Sequence, residues 1–322
     1  MQKVLSIDWG GIRGIIPAMV LAEIERRTGK RTAEVFDLVA GTSTGGILAL
    51  GLTKPGQDGK PEYSAKKLID LYETEGGKIF SIPVWHRIQS VGGLAEEKYP
   101  SEGIEEVAKK YFGDVRLAQA YKEVLVTAYE IEKRGPWFFK RRHALDPDEG
   151  FNPFMRDVAR ATSAAPTYFE PLQLKVGSEG NLAFIDGGVH SNNPAMCAYV
   201  EARKIHPEEE DFLVVSLGTG ELTRSLPYEE VKGWGLALWA QPILNVVFDG
   251  VADTVDYQLR ELLSMEEGEA RRYYRFQTVL DIGKDDMDDA SRTNIAALKV
   301  KAREIIAEND EALKALCAQL VA

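Results

Sequence analysis

With 322 residues, 44% of them apolar and 9% aromatic, the chain can bury a substantial core as one large α/β domain or two smaller ones. A formal charge of −11 disfavours nucleic acid as a partner and tight electrostatic attachment to anionic membranes, and no apolar run approaches the roughly 18 residues of a spanning helix. Two cysteines, Cys197 and Cys317, give no disulfide framework or thiolate metal cluster, and the first residues lack a signal-peptide layout, so a reducing cytoplasm is the expected home.

In chain order, residues 4–7 read as a first strand ending at Asp8-Trp9-Gly10-Gly11-Ile12-Arg13-Gly14. Apolar residues at helical spacing from Ile15 through Met19, Val20 and Ile24 predict a helix that Gly29 ends. Residues 36–40 predict a buried strand and 47–50 the first turns of an apolar helix, with Gly41-Thr42-Ser43-Thr44-Gly45 between them. Residues 54–63 form a polar loop, and Ser64 is a good N-cap for a helix to about Glu75. Residues 76–100 carry glycine pairs at 76–77 and 92–93, with Trp85 and His86 in an apolar patch; a long excursion over the active-site face is expected there. Ser101 starts the next helix and Gly113 ends it.

Residues 124–131 predict another strand, and alternating Trp137, Phe139 and Arg141 predict a half-buried strand over 136–143 rather than a basic aromatic patch. Asn152-Pro153 opens a helix with Phe154, Val158 and Ala161, which cannot continue past Pro166. Residues 182–189 run from a strand into a Gly-Gly turn with Asp186 at its tip, and Asn192-Asn193-Pro194 caps a helix. The continuous apolar run 212–217 suits a central parallel strand. Helical spacing dominates 228–265, a late strand is expected over 273–279, and one long amphipathic helix from 290 to about 320. Strand and helix alternate without repeat or linker. That predicts one domain, 1–322, of α/β class: a central, mostly parallel sheet wrapped by helices on both faces.

The chemistry concentrates at three glycine-flanked turns after predicted strands: 8–14, 41–46 and 186–188. Gly41-Thr42-Ser43-Thr44-Gly45 matches G-x-S-x-G, in which a serine stands on a sharp strand-to-helix turn with its hydroxyl exposed above the sheet. The helix N-terminus below it favours the negative charge of an acyl-transfer intermediate. The Gly10-Gly11 loop reads as a phosphate cradle, an oxyanion hole or an ordinary tight turn; it lacks the Lys-Ser/Thr ending of a P-loop. In a parallel sheet all such turns emerge at the carboxyl edge and converge. Serine needs a base, and either Asp186 or a histidine, of which His190 lies four residues on, could serve. A partly desolvated Asp186 would be better matched to that task than an exposed one.

Together these residues resemble the patatin-like phospholipase family. Asp8-x-Gly10-Gly11-Ile12-Arg13-Gly14, Gly41-Thr42-Ser43-Thr44-Gly45-Gly46, and Asp186-Gly187-Gly188 before Asn192-Asn193-Pro194 carry the likeness, with Ser216-Leu-Gly-Thr-Gly220 and Met287-Asp-Asp-Ala-Ser291 also similar. The resemblance implies a three-layer α/β sandwich and a Ser–Asp dyad without catalytic histidine, metal or other cofactor. Ser43 would be the acylated nucleophile and Asp186 the general base. Gly10 and Gly11 would form the oxyanion hole, with Arg13 and Asp8 supporting that loop. The implied substrates are phospholipids, galactolipids or lysolipids, met in transient contact with a membrane surface.

One departure stands out: where the family has a first loop glycine, this chain has Trp9. If position 9 needs φ > 0, tryptophan is strained there; otherwise it lines the acyl pocket or blocks the oxyanion hole. The rival readings are an α/β-hydrolase triad of Ser43, Asp186 and His206 or His190, a low-activity or non-catalytic binding module, and acyl transfer to an acceptor other than water. Asp285-Asp-Met-Asp-Asp289 reads as a solvated turn rather than a calcium loop, since the EF-hand glycine and glutamate are missing. An apolar mouth is expected near residues 76–100 and 228–250.

Overall fold

The computed structural model describes residues 1–80, 99–148, 151–221, 225–239, 242–264, 270–282 and 286–322. Its strands are β1 (Gln2–Ile7), β2 (Leu38–Thr42), β3 (Glu123–Glu130), β4 (Gly135–Lys140), β5 (Leu172–Val176), β6 (Gly180–Asp186), β7 (Phe212–Leu217) and β8 (Tyr273–Phe276). They form one mixed sheet in the order β5-β6-β3-β2-β1-β7-β8, with β4 paired to β3. The run β3-β2-β1-β7-β8 is parallel, while β4, β5 and β6 pair antiparallel. The mostly parallel sheet expected from the sequence is therefore present, with an antiparallel flank.

Side chains on successive strand residues point to opposite faces, and the core divides accordingly. Leu5, Ile7, Val39 and Val215 pack with helices α1 (Ile15–Thr28), α2 (Thr44–Thr53) and α3 (Ala65–Ile79). Val4, Ala40, Phe212 and Val214 face α6 (Ala195–Ile205) and α7 (Pro242–Leu262) on the other side. The chain between these groups contributes α4 (Glu102–Phe112) and α5 (Met155–Thr162). Every residue of β7 is buried, as a strand covered on both faces must be. Gly29 ends α1 in the left-handed region at φ 69°, donating its N–H to Glu25 O.

Four expectations need adjustment. Helix α3 runs through Gly76-Gly77 to Ile79, so the excursion does not begin at 76; residues 81–98, with Trp85, His86 and the 92–93 glycines, lie outside the described residues. Strand β4 stops at Lys140, and Arg141–Leu145 turns into a short helix. Arg141 fixes that change of direction by donating to Ala120 O at 2.8 Å and Glu123 Oε1 at 2.7 Å. Strand β8 is shorter than 273–279, and Val279 forms only an isolated bridge to Glu221. The tail is two helices, α8 (Arg292–Glu308) and α9 (Asp310–Val321), broken at Asn309, whose backbone N–H and side chain both donate to Ile305 O.

Register along β3 carries the functional consequence. Residues 125–130 of β3 pair with β4 on one edge. A strand has two edges, so β2, opposite residues 123–127, and β6, opposite 128–130, share the other. Strand β2 ascends and ends with Thr42 against Thr127; β6 descends and ends with Asp186 against Ala128. The two strands meet head-on, and the residues that follow them are neighbours. The turns after β2 and β6 thus converge by opposed strands on one edge, not by the parallel carboxyl edge the sequence suggested.

Candidate active site

Ser43 follows β2 at φ 55° and ψ −119°, a conformation a side-chain-bearing residue adopts only under constraint. The constraint is visible around it. Its N–H donates to Thr162 Oγ1 at 2.8 Å, and that hydroxyl donates in turn to Thr127 O at 2.6 Å. A Cβ on Gly45 would fall 2.1 Å from Ile7 O, so α2 presses against β1 only because this position is bare. Ser43 thus stands, 6% exposed, at the amino end of α2, whose dipole favours negative charge there.

Asp186 arrives from the opposite direction. Its N–H donates to Ala164 O at 3.0 Å, and its Oδ1 accepts Gly188 N–H at 2.7 Å. Oδ2 is buried and has no hydrogen-bond partner among the described residues. Burial pushes this carboxyl from near 3.8 up to about 7; the Gly188 N–H, the Ser43 hydroxyl and the Trp9 indole each offset part of that rise. Ser43 and Asp186 are therefore close enough to influence each other's protons.

The third component is the loop after β1. Gly11 has φ +57°, and a Cβ there would lie 2.1 Å from Met287 O, so glycine is required on both counts. Neither Gly10 nor Gly11 N–H has a partner among the described hydrogen bonds. The loop is tied down elsewhere: Ile12 N–H donates to Met287 O at 2.8 Å, Thr219 Oγ1 to Trp9 O at 2.5 Å, and Trp9 N–H to Asn192 O at 3.0 Å. Arg13 is buried, with Nε on Gly10 O at 3.2 Å and Nη1 on Gly220 O at 3.4 Å. Asp8 is held by Arg275 Nη2 at 2.7 Å in a buried ion pair to β8; burial raises its carboxyl and Arg275 draws it back down.

Trp9 is 7% exposed and lies outside the left-handed region, so tryptophan is not strained here. Its ring packs on Phe248 at a centroid distance of 4.7 Å, with Ala165 and Met287 completing the cluster. A Cβ on Gly188 would lie 2.8 Å from Trp9 Cδ1 and 3.2 Å from Asp186 Oδ1, so indole and carboxylate stand side by side over that glycine.

A small apolar pocket of about 40 Å³ opens beside Ser43, lined by Ile12, Ile47, Leu71, Ile79, Phe80 and Phe169 among others. None of the three described histidines lines it. His190 Nε2 donates to Ala128 O at 3.0 Å, burial lowers its pKa, and its ring packs against Phe138 and Tyr129. His206 lies near Glu208 at the end of α6, and His143 lines a groove along β4. His86 lies outside the described residues. Among the described residues no group of three histidines, cysteines or acids could hold a metal ion, and no helix is long and apolar enough to cross a membrane.

Two residues that build the site carried no sequence signal: Thr162 and Arg275 look like ordinary helix or strand residues until packed. Met287 is a correction. Its segment is the expected turn, with Asp286 exposed, but it is not wholly solvated: Met287 is buried and its carbonyl holds the loop at Ile12. Asp288 accepts the Tyr99 hydroxyl at 2.8 Å and Asp289 the Ser291 N–H at 2.9 Å; Asp285 lies outside the described residues.

The family model for patatin-like phospholipase matches residues 5–199, which contain all three glycine-flanked turns. Patatin-like protein 2 of Arabidopsis thaliana is 33% identical over 98% of this chain and 83% of its own length. Patatin-like protein 4 of the same plant is 32% identical over 93% and 82%. A potato protein, Solanum tuberosum probable inactive patatin-3-Kuras 1, is 30% identical over 92% and 84%. The chain belongs to the patatin-like phospholipase family, and that membership supports lipid acyl hydrolysis as its activity.

Proposed function

We propose that the protein is a serine esterase of the phospholipase A or lysophospholipase type, working through a Ser43–Asp186 dyad and an acyl-enzyme, with residues 1–322 acting as one domain. The observation that carries this reading is the unpartnered, buried Oδ2 of Asp186 beside Ser43, on a carboxyl raised to about 7. A carboxylate with that affinity accepts a serine proton near neutral pH far better than an exposed one.

In this mechanism the ester carbonyl sits over Ser43 with its acyl chain in the apolar pocket. Asp186 takes the Ser43 proton as Oγ attacks the carbonyl carbon, and the Gly10 and Gly11 N–H groups receive the oxyanion. Asp186 then gives that proton to the departing alkoxide, leaving the acyl group on Ser43. Water attacks next; Asp186 takes a proton from it, and the fatty acid leaves as Ser43 recovers its hydrogen. Arg13 and Asp8 hold the loop rather than touch the substrate. No metal or cofactor enters this scheme.

Phospholipids, galactolipids and lysolipids all present the required ester. Contact with a membrane surface is assigned to residues 228–250. Leu236 (90% exposed) and Leu238 face solvent, as do Ile243, Val246 and Val247 of α7, while Phe248 of α7 packs on Trp9. The net charge of −11 favours zwitterionic or neutral surfaces, and the cytoplasm is the proposed compartment. The alternative of a binding module without turnover has the inactive-named potato relative in its favour, but loses its strain argument at Trp9. Fatty-acid release from a mixed lipid extract by the natural chain, Ser43→Ala and Asp186→Asn tests the assignment. Release by the first alone is expected, and equal release by all three places the chemistry elsewhere.

A further inference from the structure

The apolar pocket contains one polar anomaly. Ser163 lines it, is 6% exposed, and its Oγ is buried without a hydrogen-bond partner among the described residues. A buried hydroxyl left unsatisfied costs about 1–3 kcal/mol, and native structures rarely carry one without a ligand, water or catalytic reason. Its position is fixed from both sides. The preceding Thr162 holds the Ser43 N–H at 2.8 Å, and the following Ala164 carbonyl accepts the Asp186 N–H at 3.0 Å. The orphan hydroxyl therefore stands on the segment that bridges the two dyad residues.

We infer that Ser163 is a specificity-determining residue that hydrogen-bonds an oxygen on the acyl chain close to the ester. The substrate class is hydroxylated acyl esters, bearing the hydroxyl on the second or third carbon. The inference rests on the hydrolase reading for the pose of the ester. Two observations favour the acyl chain over the attacking water or the leaving alcohol. Ser163 shares its pocket with Ile47, Leu71, Phe80 and Phe169, the wall an alkyl chain would cover. It is absent from the polar pocket behind the loop, where Arg13, Asn192, Glu221 and Gln277 gather. An unsubstituted chain entering the apolar pocket leaves Ser163 Oγ unpaired, whereas a hydroxyl near the ester pairs with it in one hydrogen bond, as donor or as acceptor. Discrimination of this kind comes from a site polar group that one ligand satisfies and its analogue leaves unpaired.

The test measures binding without turnover. Calorimetry compares methyl octanoate with methyl 2-hydroxyoctanoate and methyl 3-hydroxyoctanoate on Ser43→Ala protein and on the Ser43→Ala/Ser163→Ala double variant. About tenfold tighter binding of one hydroxy ester is expected in the first, and a ratio near one in the second. Equal affinities in the Ser43→Ala protein overturn the inference, whether or not the double variant folds; so does a preference that survives removal of the Ser163 hydroxyl. Hydrolysis of the same esters by the natural chain separates the two readings. If it cleaves none while the binding preference holds, the hydrolase assignment falls and the role of Ser163 stands.

Discussion

Replacing Asp186 by Asn should abolish turnover and, at the same time, stabilise the fold in a pH-dependent way. Burial raises the Asp186 carboxyl from near 3.8 to about 7. A group that binds its proton more tightly when folded stabilises the protein fully below the lower value and loses that contribution as pH rises through the upper one. The difference of about 3 pK units, at 1.36 kcal/mol each, amounts to about 4 kcal/mol lost by pH 8, and only about 0.5 kcal/mol is lost at pH 4. Asparagine keeps an oxygen for the Gly188 N–H and carries no charge, so the variant escapes this loss. Urea denaturation of both proteins from pH 4 to pH 8 measures it. The stability gap should open with rising pH, approaching ~4 kcal/mol less whatever the new amide fails to satisfy. A gap that is independent of pH, or a variant less stable than the natural chain at pH 8, would show that the carboxyl is not raised. Activity of the natural chain should climb about tenfold per pH unit below the midpoint near 7 and level off above it, because the base must be ionised.

Ser43→Gly and Ser43→Ala should both be inactive, but the glycine variant should be more stable than the alanine variant by about 1 kcal/mol, since only glycine relaxes at φ 55° and ψ −119°; equal melting midpoints would contradict the strain. Trp9→Phe removes an indole that lowers the Asp186 carboxyl while keeping a ring against Phe248, so the acid limb of the pH–rate profile should move upward. An unmoved limb would mean the indole has no electrostatic role. His190→Ala should retain lipid hydrolysis while losing about 1–3 kcal/mol of stability through the lost bond to Ala128 O and lost aromatic packing. A folded variant that loses activity about a hundredfold would restore the histidine triad.

Most of the sheet was legible because its strands are continuous apolar runs or short alternations, and the cap at Ser64 and the stop at Gly29 were written in local chemistry. The three turns could be read for the same reason: glycine marks places where backbone comes too close for a side chain, as at Gly45 and Gly11. The direction of β6 could not be read. An antiparallel partner has the same pattern of side chains as a parallel one, and only pairing with β3 distinguishes them. Thr162, Arg275 and the Met287 carbonyl were invisible for a related reason, since each acts through a contact distant in sequence and through groups every chain possesses. The break at Asn309 was missed because the apolar period continues across it while the backbone does not.

The head-on meeting of β2 and β6 makes β3 a measuring rod for catalysis. Thr127 and Ala128, adjacent on that strand, set the separation of alcohol and acid, and the long excursion of chain between the two does not. Loops inserted or deleted in that interval would alter which lipids enter while sparing the proton transfer. One extra residue within β3 itself would turn alternate side chains over and drive the pair apart, leaving a folded protein with a full pocket and no reaction.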